Sequence, residues 1–376
     1  MKLGIVGGGQ LAQMMVQAAI SLGIDVAILA STSDSSAPRY VYSTTIAKEF
    51  DKEHLQHFVD SCDFVTFDHE VIDADILRSI DGYKEKIFPT PDTLELSSRK
   101  AKCRRLMAEI GLPTPKFEIA TNFDELRTSI SNIGLPVIVK SSFGGYDGRG
   151  VFEVKDANDL ASLKGTLPEI FEVVIEEFIE IEKELSIIVV RDKDANVRSY
   201  PLLETLQQRQ MCSEVYYPVH VSEQIEAKSR EIAEAAANAV ASVGVLAVEL
   251  FLTKSGDVII NELAPRPHNS GHLTIEAMAT SQFENHIRAV CSLPIGSVEP
   301  LFAAATMVNL VGIADNLDQD EGRRRAIGYE DVHLHLYGKE NRDGRKIGHI
   351  TVTGKDQGAT LETSRMARDA FLGTTS

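Results

Sequence analysis

The sequence predicts an α/β protein in three parts: an N-terminal domain around an open parallel sheet, a larger α/β domain, and a small β-rich C-terminal domain. Three observations carry this expectation. Residues 2–30 read as strand, glycine turn, helix and strand. The middle of the chain mixes short apolar strands with one long alanine-rich helix, EAKSREIAEAAANAVASVG. Beyond about residue 296 the pattern is strand-like again, in VHLHLY and IGHITVT. A chain of 376 residues is also too long for one ordinary core.

In the first part, Leu3, Ile5 and Val6 make a short apolar run. Leu11, Met14, Met15, Ala18 and Ala19 then recur at helical spacing, and IDVAILA is a second strand. Strand, helix and strand in that order form the right-handed crossover of a parallel, Rossmann-like sheet. CDFVTFDHE and KIFPT are expected to extend it to residue 95. A helix over SSRKAKCRRLMAEIG leads into the proline-marked LPTPKFEIA, so the second part is taken as 96–295 and the third as 296–376. LPVIVKSS is a strand delivering Lys140 into the glycine-rich SFGGYDGRG, and EVVIEEFI and KELSIIVVRD are further strands. GVLAVELFLTKSGDVIINEL is a hairpin turning at 254–257.

Composition narrows the function. With 38 basic and 55 acidic residues the formal charge is −17, which argues against a general nucleic-acid binder while leaving room for a local basic pocket. Cys62, Cys103, Cys212 and Cys291 are far apart with no CxxC, so they read as reduced thiols and not as a zinc or disulfide framework. The opening MKLGIVGGGQ enters a strand at once and leaves no room for a signal peptide, and no apolar run approaches the roughly 20 residues of a membrane span. A cytoplasmic enzyme acting on small molecules is expected.

Gly7-x-Gly9-x-x-Ala12 fits a turn that offers backbone N–H groups to phosphate, but the second strand ends Leu29-Ala30-Ser31, without the carboxylate that a nicotinamide ribose requires. A tight turn needed only for packing carries comparable weight. The hairpin is more informative. Pairing across 254–257 sets Thr253 opposite Val258, Phe251 opposite Ile260 and Glu249 opposite Glu262, so two carboxylates face each other among apolar neighbours. Like charges so placed repel, and magnesium, which takes hard oxygen ligands and keeps positions for phosphate and water, resolves the conflict. A glycine-rich loop, the Lys140 strand and two such carboxylates together describe a nucleoside-triphosphate site with neither a P-loop nor the kinase signatures. In ELAPRPHNSGH, Pro267, Ser270 and Gly271 spoil the helix that a zinc pair of His268 and His272 would need, which favours a substrate-binding loop. His333, His335 and Tyr337 alternate on one strand and are expected on an exposed sheet face.

Taken together, the N-terminal crossover unit, the Lys140 strand, SFGGYDGRG, the EEFI segment, Glu249 and Asn261-Glu262 resemble the ATP-grasp superfamily. GGGQLAQM, GGYDGRG, NELAPRPHNSGH and LYGKENRDGRKIGH are similar to its 5-(carboxyamino)imidazole ribonucleotide synthase family, over nearly the whole chain. That resemblance implies an ATP-dependent carbon–nitrogen ligase of purine biosynthesis, which carboxylates 5-aminoimidazole ribonucleotide with bicarbonate by way of carboxyphosphate. ATP and magnesium (manganese as the alternative ion) are the implied cofactors, with Glu249 and Glu262 as metal ligands. Arg99 and Lys140 are implied at the phosphates, under a loop of Gly145, Tyr146, Asp147, Gly148, Arg149, Gly150 and Val151. Glu176, Glu177, Phe178 and Ile179 are implied at the adenine, Glu184 at the ribose, and Gln207 and Asn261 nearby. Gln10, Leu11, Glu70, Arg266, His268, Asn269, Ser270, Arg345 and Lys346 would frame the ribonucleotide, with Tyr146, Asp147, Arg149 and Lys346 around the bicarbonate and amine. The resemblance further implies a homodimer and a functional link to the mutase that uses the product. Three positions depart from the family pattern: Ala12-Gln13 replaces a glycine and a basic residue, Gln207 stands where many members have histidine, and Asp68 and Glu70 replace two glutamates. The alternative is another ATP-grasp ligase, such as formate-dependent glycinamide ribonucleotide transformylase, against which the GQL turn and the GRKIGH tail speak.

Overall fold

The computed structural model describes residues 1–31, 36–143, 150–168, 171–208, 211–314 and 317–374, whose strands form three sheets. The first contains β1 (Lys2–Val6), β2 (Asp25–Ala30), β3 (Ser43–Ile46) and β4 (Phe64–Phe67), all parallel, in the order β3-β2-β1-β4. The helix Gln10–Ser21 crosses from β1 to β2 and buries Leu11, Met14, Met15 and Ala19. KIFPT was expected as a strand and contributes only an isolated bridge, Val65 to Ile87. Because the strand order reverses at β1, the carboxyl ends of β1 and β4 lie side by side. Open parallel sheets hold their ligands in that crevice, and here it joins the turn Gly7–Gly9 to the segment Asp68–Glu70.

The second sheet is antiparallel: β5 (Phe117–Ala120), β6 (Val137–Ser141), β7 (Val151–Val154) and β8 (Val173–Glu177), in the order β5-β8-β6-β7. Helices Phe123–Ile133 and Ala157–Thr166 cover it, with Leu126, Ile130 and Leu163 packed on Val137, Val139 and Ile175.

The third sheet holds β9 (Ile181–Arg191), β10 (Val197–Ser199), β11 (Leu203–Gln208), β12 (Met211–Tyr217), β13 (Gly244–Thr253), β14 (Val258–Ala264), β15 (Ala304–Val311), β16 (Val332–Leu336) and β17 (Lys346–Gly354). Its order is β14-β13-β9-β11-β12-β15-β17-β16, with β10 beside β9. The tail strands therefore continue the central sheet through β12 and β15, from Glu214 opposite Val308 to Tyr217 opposite Ala305. Lys346, at the start of β17, is thus held in the same sheet as Glu249 and Glu262.

The helix Glu223–Ala239 covers one face of that sheet. Ser222 caps it by accepting the Ile225 N–H, and Glu223 and Glu226 complement the dipole of its first turn. Its small residues Ala233, Ala236 and Ala237 let it lie close to Leu246, Val248, Leu250 and Leu252. Each such leucine contributes roughly 2 kcal/mol by removal of apolar area from water. On the opposite face Val245 and Ala247 pack with Ala289 of the helix Gln282–Val290.

Candidate active site

The β13–β14 hairpin brings Glu249 opposite Glu262, but by a different register from the one expected. Its turn takes five residues, Thr253–Asp257, closed by Thr253 N–H donating to Asp257 O at 2.9 Å and Gly256 N–H to Thr253 O at 2.9 Å. Leu252 therefore pairs with Val258, Phe251 with Ile259 and Leu250 with Ile260. A one-residue slip moves side chains to the other face. Val258 and Ile260 accordingly join the core under helix Glu223–Ala239 and do not flank the glutamates. A β-bulge between Glu249 and Leu250 restores the carboxylate pair by leaving Asn261 as the extra residue. Asn261 and Glu262 then serve the same side: Asn261 Nδ2 donates to Glu249 Oε2 at 3.3 Å. Burial raises the Glu249 carboxyl, the charges of Glu262 and Glu184 add to it, and together they push it up to about 7. A negative site so uncomfortable fits a divalent cation with hard oxygen ligands. Among the described residues no group of three or more His, Cys, Asp or Glu could hold a metal ion, so such a cation would draw its other ligands from phosphate and water.

Basic residues gather around this pair. Lys100, the first residue of the helix Lys100–Glu109, donates from Nζ to Glu262 Oε1 at 2.7 Å. Arg99, the residue expected here, caps that helix in an extended conformation, which turns successive side chains apart. Its guanidinium lies 5.5 Å from the Phe143 ring centroid and 3.6 Å from Glu95, half-exposed. Arg104 is four residues beyond Lys100, on the same helix face, and only 6% exposed. It donates to Ile260 O at 2.8 Å and Asn261 O at 3.0 Å, so it satisfies carbonyls where the bulge interrupts the strand ladder. Neither Lys100 nor Arg104 was singled out from the sequence. The RKAKCRR run showed the charge, and the four-residue spacing is the signal that pairs them.

Arg104 also binds Glu176, through Nε at 2.8 Å and through Nη2. Lys140 Nζ lies 2.8 Å from the other Glu176 oxygen and donates to Asn261 Oδ1 at 3.0 Å. In the β6–β8 ladder Glu176 is opposite Ile138, which sets it diagonal to Lys140 on one face. Glu176 was expected to line the adenine pocket; at 3% exposure it is the centre of a buried ion triad that holds Lys140 in place. Burial would raise its pKa, but the Lys140 and Arg104 charges beside it hold the carboxyl below its usual range.

Other expected nucleotide contacts cluster along β8, β9 and β11. The backbone N–H of Lys116 donates to Glu177 Oε1 at 2.6 Å, while Phe178 is 44% exposed and Ile179 partly buried in the short connection to β9. Glu184 of β9 is opposite Phe251 and accepts a hydrogen bond from Gln207; burial raises its pKa despite that bond. Gly150 (φ 77°) and Val151 opposite Lys140 close the base of the glycine-rich connection. Gly145, Tyr146, Asp147, Gly148 and Arg149 lie outside the described residues.

The ribonucleotide side is built from three parts of the chain. Arg266 forms a two-pronged pair with Glu70, Nη2 to Oε1 at 3.1 Å and Nε to Oε2. Burial alone would raise Glu70, but Arg266 wins and holds its carboxyl at about 2. The turn Asn269–Gly271 orients His268: Ser270 N–H and Oγ stand 3.3 and 2.9 Å from Nδ1. Nδ1 accepts the backbone N–H, so the ring proton sits on Nε2, 3.5 Å from Glu249 Oε1. Burial and the charges of Arg266 and Lys346 push His268 down to about 3, and the ring is neutral. Ser270 is 1% exposed, with its hydroxyl shared with Ser186 at 2.7 Å, so it positions the loop. Asn269 Nδ2 is buried, and its side chain reaches the Cys212 thiol. Lys346, half-buried, is near enough for its charge to act on His268, His272 and Cys212. Arg345 is held in the turn before it, its N–H donating to Arg342 O at 3.0 Å. Gln10 Oε1 accepts from Lys339 Nζ. Leu11, expected at the substrate, is 8% exposed and packs in the N-terminal core, so only its backbone is available there.

The glycine turn holds a carboxylate of the protein itself. Gly9 N–H donates to Asp68 Oδ2 at 2.6 Å. Gly7 adopts φ 100°, and a Cβ on it would lie 1.7 Å from Asp68 Oδ1, so only glycine fits. The packing reading of this turn is the one that fits, with Asp68 where a phosphate was the alternative.

Comparison with known proteins gives the family of the chain. Residues 1–98 match the ribonucleotide synthetase pre-ATP-grasp domain, 105–283 the ATP-grasp domain, and 305–363 the phosphoribosylaminoimidazole carboxylase C-terminal domain. The chain is 35% identical over 370 residues to the N5-carboxyaminoimidazole ribonucleotide synthase of Mycobacterium bovis, covering 96% of this chain and 86% of that protein. The Bacillus subtilis protein of the same name is 33% identical over 93% of this chain and 90% of its own length. Among solved structures, the Aspergillus clavatus N5-carboxyaminoimidazole synthase in complex with ADP and the aminoimidazole ribonucleotide superposes with a TM-score of 0.90 at 31% identity, covering 98% of each chain. The Thermotoga maritima synthetase gives 0.87 at 37% identity, again over 98% of each. The chain belongs to the N5-carboxyaminoimidazole ribonucleotide synthase family of the ATP-grasp superfamily.

Proposed function

We infer that this protein carboxylates 5-aminoimidazole ribonucleotide to its N5-carboxy derivative at the expense of ATP and bicarbonate, a ligase step of purine biosynthesis. The ATP-grasp fold uses ATP with magnesium. The observation that carries the reading to the residues is the bulged hairpin, which aims Glu249, Asn261 and Glu262 at one point beside Lys140 and Lys100. Glu249 and Glu262 would hold the magnesium ion, which supplies neutralisation of phosphate charge when bound.

The protein's own groups do the rest. A bicarbonate oxygen attacks the γ-phosphorus and ADP leaves, forming carboxyphosphate. That intermediate breaks down to carbon dioxide and phosphate, and the substrate's amine forms the new N–C bond as a C=O π bond of carbon dioxide opens, giving up a proton to the released phosphate. Lys140 is fixed by Glu176 and Asn261 to meet the phosphates without reorganisation, which is the condition for electrostatic catalysis. Lys346 and Arg266, the latter held by Glu70, place positive charge beside His268, where the ribonucleotide's phosphate and the carboxyl group being transferred would lie. Neutral His268 offers an N–H and no charge. Tyr146, Asp147 and Arg149 complete the proposal at the bicarbonate. Shielding of the intermediate from water is the remaining requirement, because carboxyphosphate hydrolyses readily.

The test is ADP release with the aminoimidazole ribonucleotide, with and without bicarbonate, beside glycinamide ribonucleotide plus formate. The reading expects N5-carboxylated product only when the aminoimidazole ribonucleotide, ATP and bicarbonate are all present. Turnover of glycinamide ribonucleotide with formate would overturn it in favour of the transformylase. Lys346→Met should cut carboxylation by roughly a hundredfold while leaving the affinity for magnesium–ATP nearly unchanged.

A further inference from the structure

Lys100 occupies a place that the metal reading reserves for a cation. Its Nζ lies 2.7 Å from Glu262 Oε1, and its side chain is 18% exposed against 43% for the glutamate. Its main chain is anchored: Lys100 N–H donates to Ser142 O at 2.8 Å, and Ala101 N–H to Ser142 Oγ at 3.2 Å. Ser142 follows directly on β6, the strand that carries Lys140. The two ammonium groups therefore stand on the same side of the site, but they are held differently. Lys140 is pinned between Glu176 and Asn261, and its departure would break a buried ion triad. Among the described residues Lys100 has one carboxylate partner, itself open to solvent, and a four-carbon stem free to pivot on a fixed backbone.

We propose that Lys100 is the resident counter-cation of Glu262 in the nucleotide-free protein and transfers to the nucleotide's phosphate oxygens when magnesium takes its place. This rests on the assignment of Glu249 and Glu262 as the metal ligands. A divalent ion and an ammonium group cannot share one carboxylate edge without strong repulsion, so entry of the metal expels Lys100. The nearest anions then available are the phosphates that arrive with the metal. The exchange keeps the site close to neutral both before and after binding. It also makes bare metal a poor ligand, since without a nucleotide the expelled ammonium has nowhere to go. Magnesium and nucleotide are thereby taken up together.

The experiment measures manganese binding to the nucleotide-free full-length protein by calorimetry, and binding of a non-hydrolysable ATP analogue at saturating magnesium. Lys100→Met, Lys100→Arg and Glu262→Gln are compared with the unmodified chain, and circular dichroism confirms that each is folded. Lys100→Met should bind bare manganese roughly tenfold more tightly and the magnesium–analogue complex roughly tenfold more weakly, while Lys100→Arg stays near the unmodified protein in both. Unchanged affinities in Lys100→Met would overturn the proposal and reduce the contact to a surface ion pair. Weaker manganese binding in that variant would also overturn it, by making Lys100 a prop for Glu262. Glu262→Gln keeps the two readings apart: if it binds manganese like the unmodified protein, the metal assignment itself fails and Lys100 falls with it.

Discussion

Glu249 and Glu262 hold two carboxylates together and depend on cations, whereas His272, His335 and His349, in the seam beneath the N-terminal domain, are packed ring on ring. His349 stacks on His335 at 4.4 Å between centroids and lies 4.8 Å from His272. Tyr337 Oη is 2.8 Å from His349 Nδ1, and His335 Nε2 is 2.7 Å from Glu276 Oε1. The first helix closes this seam, with Gln13 Nε2 donating to Leu336 O at 3.0 Å. His272 and His349 are both fully buried, and burial, seconded by their neighbours, drives each well below the ordinary histidine pKa. One cluster therefore stores unsatisfied charge and suits the capture of a cation. In the other, buried His272 and His349 favour the neutral ring, and the cluster joins domains. Proximity of ionisable groups does not by itself mark a site; what distinguishes the two is that the carboxylates repel each other, whereas the rings pack.

The comparison breaks most sharply at Glu262. Glu262→Gln removes half of the stored charge, and turnover should fall by at least about a hundredfold. The melting temperature without metal should barely move, because the lost Lys100 contact is partly solvent-exposed and the repulsion with Glu249 is relieved. Ordinary turnover in that variant would move the metal elsewhere.

Arg104→Met tests the frame around the charged site. It leaves Glu176 buried with Lys140 alone and uncovers the carbonyls of Ile260 and Asn261, so denaturant unfolding should show a loss of about 3 kcal/mol or more. A loss below about 1 kcal/mol would mean the triad is not what holds the bulge.

Acid should find the histidine seam. His272 faces His268, His335, Lys346 and Arg266, and His349 faces His335, His272 and Tyr337, so neither has an anion at hand to welcome a proton. Their folded pKa values are depressed, so the unfolded chain binds more protons once the pH falls below about 6.5. Stability is full above that value and declines as pH drops, by about 1 kcal/mol per ring between pH 6.5 and 5.5. Chemical denaturation across that range should show the slope, to which buried His268 and His286 also contribute, and His349→Gln should remove roughly a quarter of it. A flat profile would mean the rings accept protons in place.

Much of this was legible in the sequence. The crossover unit, the Lys140 strand and the facing glutamates follow from local spacing, which the chain writes directly. The bulge was legible as well but misread: Val258 and Ile260 share one parity, Leu263 the other, and the break falls at Asn261-Glu262. Counting back from an assumed four-residue turn reached the right pair with two wrong neighbours. What spacing could not show were contacts made between distant segments. His335 and Tyr337 alternate as an exposed face would, yet Tyr337 is 1% exposed because the first helix packs over that end of β16. The ion triad at Glu176 is another such contact, since Arg104 comes from 72 positions earlier. Asp68 in the glycine turn belongs to the same class, since it arrives from the neighbouring strand β4.

The most direct test is anomalous scattering from crystals grown with manganese and ADP. Manganese should lie between Glu249 and Glu262, within about 2.3 Å of an oxygen of each, with Lys100 off Glu262 and on a phosphate. Manganese elsewhere, with the Lys100–Glu262 pair intact, would contradict the account.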